Sequence, residues 1–260
     1  MVDRKVADQK VVEPIKTITD AASQAARPES EPPHVRRYRA VLFQTALVII
    51  AGAFALLTFL VKTQPSLAID LQVTKAIQLI NFPFFAPVMS AISWAGFGPQ
   101  DFIITGLIIL LIYAFGLHWE AVMALIAAIF STAINLLAKD LVQRARPAAD
   151  LVHVVATLNS YSFPSGHVMY YLGFFGFIWF LAFTLMKPSF KRGLLLVLFG
   201  IPIVLIGISR IYLGQHWASD VLGAYLLGTL TLVAIIQFYR WGKTRFFVRQ
   251  PVAAAGSQPA

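Results

Sequence analysis

The chain has 260 residues, of which 58% are hydrophobic and only 13% charged, with a formal net charge of +9. That balance excludes an ordinary soluble domain, in which about a quarter of the residues carry charge. Cysteine is absent, which excludes disulfides and thiolate metal sites and leaves the redox compartment open.

Residues 1–38 are polar, hold six of the twelve acidic residues and end in a proline-rich patch. They read as a disordered cytoplasmic tail. A secretory signal does not fit, because the charged stretch is too long and no small-residue cleavage site follows the first apolar run. From there the chain predicts six apolar spans, near 41–61, 102–117, 119–138, 167–186, 193–212 and 217–238. A seventh candidate, residues 71–98, is interrupted by Lys75, Asn81, Pro83 and Pro87. Backbone groups freed by proline are costly in lipid, so this stretch predicts two short interfacial or re-entrant helices. The fold class is therefore all-α, a six-helix transmembrane bundle over residues 39–243 with a short cytoplasmic tail over 244–260.

Six spans return both termini to one side. That side collects Arg36, Arg37, Arg39, Lys187, Lys191, Arg192, Arg240, Lys243, Arg245 and Arg249, and the other holds Lys62, Lys75, Lys139, Arg144, Arg146 and Arg210. The positive-inside rule makes the richer side cytoplasmic. Trp119, Trp217 and Trp241 fall near span ends, where interfacial tryptophans belong. The expected setting is a bacterial inner or plasma membrane, with both termini in the cytoplasm.

The basic residues left on the outer side need a reason to be there. An ionised side chain at mid-membrane costs about 2.5 to 3.5 kcal/mol even on insertion scales, so these groups belong at the outer surface or in a wet pocket below it. An isolated Lys or Arg at a helix end is ordinarily a snorkelling anchor, and Lys62 and Arg144 read as that. Asp140 and Asp150 are available to balance nearby arginines.

Three blocks set the others apart. In "KDLVQRARP", Lys139 and Arg146 stand seven residues apart at the end of the third span; helical periodicity puts them on one side, and Pro147 stops the helix. "PSGH", Pro164 to His167, opens the fourth span. In "SRIYLGQHWASD", Ser209 and Arg210 close the fifth span while His216 and Asp220 open the sixth. The residue types point to phosphate. Arg146 and Arg210 can bind phosphoryl oxygens in bidentate fashion and Lys139 adds a compact charge. Ser165 and Gly166 stand at a helix amino terminus, whose free N–H groups favour an anion. His216 and Asp220, at i and i+4, fit an oriented nucleophile, and His167 a general acid. Such residues also cap helices or pair across a turn without chemistry; His34, His118 and His153 have no such company and are given no role. Metal binding by His167, His216 and Asp220 is disfavoured by three cations in the same place, so no metal or cofactor is expected.

Eleven positions, Lys139, Arg146-Pro147, Pro164-Ser165-Gly166-His167, Ser209-Arg210, His216 and Asp220, resemble in order and spacing the three-part signature of the type 2 phosphatidic acid phosphatase superfamily. The resemblance covers about residues 41–240, with no departure at signature positions. It implies an integral-membrane lipid phosphatase with six helices, a metal-independent mechanism and a phosphohistidine intermediate. By motif match, His216 is implied as nucleophile, Asp220 as its orienting partner and His167 as general acid. Lys139, Arg146, Ser165, Gly166 and Arg210 are implied as the phosphate cradle, at the extracytoplasmic face. Soluble vanadium-dependent haloperoxidases share this signature but lack multiple spans.

The expected partners are a lipid phosphate substrate and membrane lipids, with no nucleic acid. Phosphatidic acid, phosphatidylglycerol phosphate and polyprenyl diphosphate all offer a terminal phosphoryl group, and a lipid phosphotransferase of the same superfamily is the nearest alternative. A transporter would place its charges at mid-span, and an inactive scaffold would have lost an acid, base or nucleophile. The loop 148–161 and the segment 63–101 are expected to shape the choice of lipid.

Overall fold

A computed structural model describes residues 32–64 and 67–246. Most of the two expected tails lies outside the described residues. All regular structure among the described residues is helical.

Helix α1, Pro33–Thr63, starts at a proline whose fixed φ and missing N–H suit a first turn. It begins well before the expected residue 41, so Pro33 to Tyr38, placed in the tail by composition, are helical. Its 31 residues extend roughly 46 Å, more than hydrocarbon requires, so its polar first turns have room to stand beyond the apolar layer. The interrupted stretch forms two short helices, α2 (Ala68–Gln78) and α3 (Phe85–Trp94), separated by the segment containing Asn81 and Pro83. Helix α4, Gly98–Ala114, follows α3 across a 67° bend.

Helix α5 runs from His118 to Val142, and α6 from Gly166 to Leu185 with a wider π turn at Tyr171–Phe175. Helices α7, Phe190–Tyr212, and α8, Ala218–Phe246, complete the chain. By length and composition α1, α5, α6, α7 and α8 can each cross a membrane, and the bent α3–α4 pair adds a sixth span if it is counted as one broken span rather than a re-entrant loop. The chain is thus an all-α integral-membrane bundle.

Helix α6 is the central post. Its apolar stretch is 72% buried within the protein, against 39% for α5 and none for α1. Met169, Phe174 and Phe177 on α6 pack with Met123, Ala124, Ile206 and Ala224 into the main core. At the end opposite the signature, Glu120 in the first turn of α5 pairs with Lys243 in the last turn of α8 at 2.8 Å, and accepts from the Tyr239 hydroxyl at 3.0 Å. Trp241 is exposed as an interfacial residue should be. Trp217 differs from expectation: it is buried beside the site, where its backbone N–H donates to Asp220.

Candidate active site

The three cations singled out in the sequence converge, though not by the expected route. Helix α5 stops at Val142, because Gln143 turns left-handed at φ 55° while its N–H still bonds the Lys139 carbonyl at 2.8 Å. Arg146 therefore stands beyond the helix in irregular chain, and the common helix face expected for Lys139 and Arg146 does not exist. Loop contacts bring them together instead. Lys139 donates to the Tyr161 carbonyl, and Arg146 to the Ser160 carbonyl at 2.7 Å and the Gln215 carbonyl at 2.6 Å. Arg210 is fully buried in the last turn of α7. It donates to the Ser93 hydroxyl and, at 3.2 Å, to Gln215, with its guanidinium 5.2 Å from the Phe97 ring centre.

Among the described residues, none of these three cations forms an ion pair, whereas Arg144 forms two. Its guanidinium lies 2.7 Å from both Asp70 and Asp220, and its side chain has no exposed surface. The reading of Arg144 as a snorkelling anchor is thus corrected. The carboxylates that pair with it also differ from the expected Asp140 and Asp150. Lys62 fits its reading better, with an exposed ammonium 2.9 Å from the Leu141 carbonyl. Counting the histidines neutral, four cations against Asp70 and Asp220 leave two positive charges, the complement of a phosphate dianion.

His216 sits in the turn between α7 and α8, 1% exposed. Its Nε2 faces the Arg146 guanidinium at 3.2 Å. Its Nδ1 lies 3.6 Å from the Asp220 carboxylate and 3.4 Å from the Ser162 hydroxyl, which itself donates to Asp220. The expected direct His216–Asp220 hydrogen bond is therefore a relay through Ser162. Burial, and then the charges of Arg146, Arg210 and Lys139, push the His216 imidazole well below its ordinary range. The neutral ring that a nucleophile needs is thereby favoured.

Ser165 precedes α6, and its N–H is already bonded to the Asp220 carbonyl at 3.2 Å. Its hydroxyl is buried without a hydrogen-bond partner, as is Nε2 of His167, the second residue of α6. Buried polar atoms of this kind are ones that an incoming phosphoryl oxygen could satisfy. Asn135, one helical turn before Lys139, donates to the Pro164 carbonyl at 3.0 Å and fixes the start of α6. Gly166 is the first residue of that helix, where an added Cβ would stand 3.2 Å from Asn135 Oδ1. His167 packs edge-on against Phe97 at 4.6 Å and lies within electrostatic reach of Arg210, His216 and Arg146. Ser209 takes a different part: its hydroxyl bonds the Met89 carbonyl at 2.6 Å and ties α7 to α3.

A profile of the PAP2 superfamily matches residues 118–243, a stretch that holds every signature position. Phosphatidylglycerophosphatase B of Bacillus subtilis (strain 168) is 31% identical over 189 residues, spanning 71% of this chain and 90% of that protein. The chain belongs to the PAP2 superfamily. A crystal structure of a transmembrane PAP2 type phosphatidylglycerolphosphate phosphatase from Bacillus subtilis is similar to it at a TM-score of 0.66 and 27% identity, covering 78% of this chain and 98% of that one. In this PAP2 protein the profile starts at α5, so Asp70, Ser93 and Phe97, which reach the site from α2, α3 and the bend before α4, lie outside it. The segment 63–101 thus contributes to the site itself.

Proposed function

We propose that this membrane lipid phosphatase hydrolyses the terminal phosphate of phosphatidylglycerol phosphate through a phosphohistidine on His216. The observation that carries the reading is the assembly of Lys139, Arg146 and Arg210, free of carboxylate pairing among the described residues, around one buried imidazole. Fixed cations in a site shielded from water stabilise the charge of a transferring phosphoryl group far better than they would in solvent. The name of the Bacillus relative, matched over most of its length, favours this lipid over other phosphomonoesters.

In the proposed first step, His167 has taken up a proton as the anionic substrate binds; His216 Nε2 attacks phosphorus, the bond from phosphorus to the lipid oxygen breaks, and His167 gives that oxygen its proton. Asp220, through Ser162, keeps the His216 proton on Nδ1 and offsets the positive charge that grows on the ring. Arg146, Arg210, Lys139, the Ser165 hydroxyl and the N–H groups opening α6 at Gly166 hold the phosphoryl oxygens. A water then gives its proton to His167 as its oxygen attacks phosphorus, the P–N bond breaks, and inorganic phosphate leaves. No step draws on a metal ion. The catalytic end faces the extracytoplasmic side of a bacterial inner membrane, with both termini in the cytoplasm. The test is phosphate release by purified protein in detergent, with chelator present, from phosphatidylglycerol phosphate, phosphatidic acid and a polyprenyl diphosphate side by side. Turnover of the first lipid above the others supports the assignment; release that chelator abolishes contradicts the mechanism.

A further inference from the structure

The site contains a second layer that the signature does not describe. Arg144 Nη2 is 2.7 Å from Asp70 Oδ2, and Nη1 is 2.7 Å from Asp220 Oδ1 and 2.6 Å from the Ser219 hydroxyl. Asp70 in turn accepts from the Ser219 N–H at 2.8 Å and the Ser219 hydroxyl at 2.7 Å. A closed ring of Asp70, Arg144 and Ser219, to which Asp220 is joined through Arg144, therefore links the first turn of α2 to the first turn of α8, with each carboxylate accepting three hydrogen bonds.

We propose that Asp70 and Arg144 are positioning residues for His216: the ring clamps the Asp220 carboxylate so that its other oxygen can hold Ser162 and orient the imidazole. Three features argue for this over a simple staple. A fourth cation in a neighbourhood already holding Lys139, Arg146 and Arg210 is electrostatically unfavourable, and the ring admits it only with two carboxylates. Buried ion pairs are weak sources of stability, because desolvation offsets most of their attraction, so stability alone gives little reason for the ring. Finally, the two oxygens of Asp220 divide the work. Oδ1 takes Arg144, and Oδ2 takes Ser162 and the Trp217 N–H, at the edge of the carboxylate nearest His216 Nδ1. Arg144 holds the Asp220 carboxylate directly and Asp70 holds Arg144, so both act on His216 through Asp220.

This inference rests on the role proposed for His216. Its test is the rate of phosphoenzyme formation in a single turnover, with full-length protein in detergent and radiolabelled phosphatidylglycerol phosphate as the probe. Asp70→Asn keeps the side-chain shape and removes the charge that steers Arg144. It should slow phosphoenzyme formation about tenfold, and Arg144→Met about 100-fold, as expected when a reacting group is slightly misplaced. The half-saturating lipid concentration should stay unchanged, and Arg144→Lys should recover part of the loss. In an Asp220→Asn background, Asp70→Asn should cost less than about twofold, since residues acting through one another are non-additive. Equal losses with and without Asp220, a wild-type rate in Asp70→Asn, or a change confined to half-saturation would overturn the proposal. So would an Asp70→Asn protein that has lost cooperative melting, which would assign the ring to folding. If Arg144→Met does not fold, the Asp70→Asn cycle still decides. Phosphoenzyme formed by His216→Ala would instead sink the His216 reading, a result distinct from additive losses in a protein that still requires His216.

Discussion

Gly96 lies in the bend between α3 and α4, directly against the imidazole assigned as general acid. A Cβ added there would stand 2.6 Å from Cδ2 of His167 and 3.0 Å from Cε2 of Tyr171. Carbon atoms in ordinary contact are about 3.5 Å apart, so Gly96→Ala must push the His167 ring by roughly 0.9 Å. Phe97 sits against the same ring at 4.6 Å between centres and limits where it can go. A displacement near 1 Å costs a catalytic group on the order of 100-fold. The loss should depend on the leaving group. A lipid alkoxide leaves poorly and needs the proton from His167, whereas an aryl phosphate has an acidic leaving group and needs little help. Gly96→Ala and His167→Ala should therefore both slow phosphoenzyme formation from the lipid far more than from an aryl phosphate, with His167→Ala the more severe. The rates must be read in a single turnover, because a slow dephosphorylation common to both substrates would mask the contrast. Equal slowing with the two substrates would refute the general-acid assignment and leave His167 as a phosphate-positioning residue.

Other outcomes follow from the same geometry. The depressed His216 imidazole should remain neutral at pH 6, where an ordinary histidine is largely protonated, and should take up its proton only on further acidification; ring-carbon NMR shifts of labelled protein check this, and titration at about 6.5 or above would contradict it. Removing one partner from the Glu120–Lys243 pair by Glu120→Ala should destabilise the bundle by about 3 kcal/mol, read as a lower melting temperature in detergent, with phosphatase activity retained below the transition. A cysteine at the exposed Ala149 should react with a membrane-impermeant thiol reagent in intact cells and one at the exposed Ser189 should not; the reverse pattern would place catalysis in the cytoplasm.

Much of the architecture was legible because the bilayer imposes a coarse code. Apolar runs of sufficient length became α1 and α5 to α8, and Asn81 with Pro83 marked the break between α2 and α3. The signature residues were readable because their types and spacings carry chemistry together. The exit of α5 was misread, since Pro147 looked like the stop while the left-handed Gln143 ends the helix earlier. Arg144 and Asp70 were unreadable for a different reason. They are 74 residues apart, and only the folded path of α2 over the site turns an apparent surface anchor into a buried clamp. Ser162 and Ser93 likewise become informative only when Asp220 and Arg210 are placed beside them.

The central claim is that phosphate passes through His216, and the most direct measurement is to trap it there. Wild-type protein incubated with phosphatidylglycerol phosphate labelled in its terminal phosphate, in the presence of chelator, and quenched within one turnover should carry acid-labile, base-stable label on a peptide containing His216. His216→Ala should carry none and turn over no lipid, while Asp220→Asn should still label, more slowly. Label that survives in His216→Ala, or that is acid-stable in the wild type, would contradict the account.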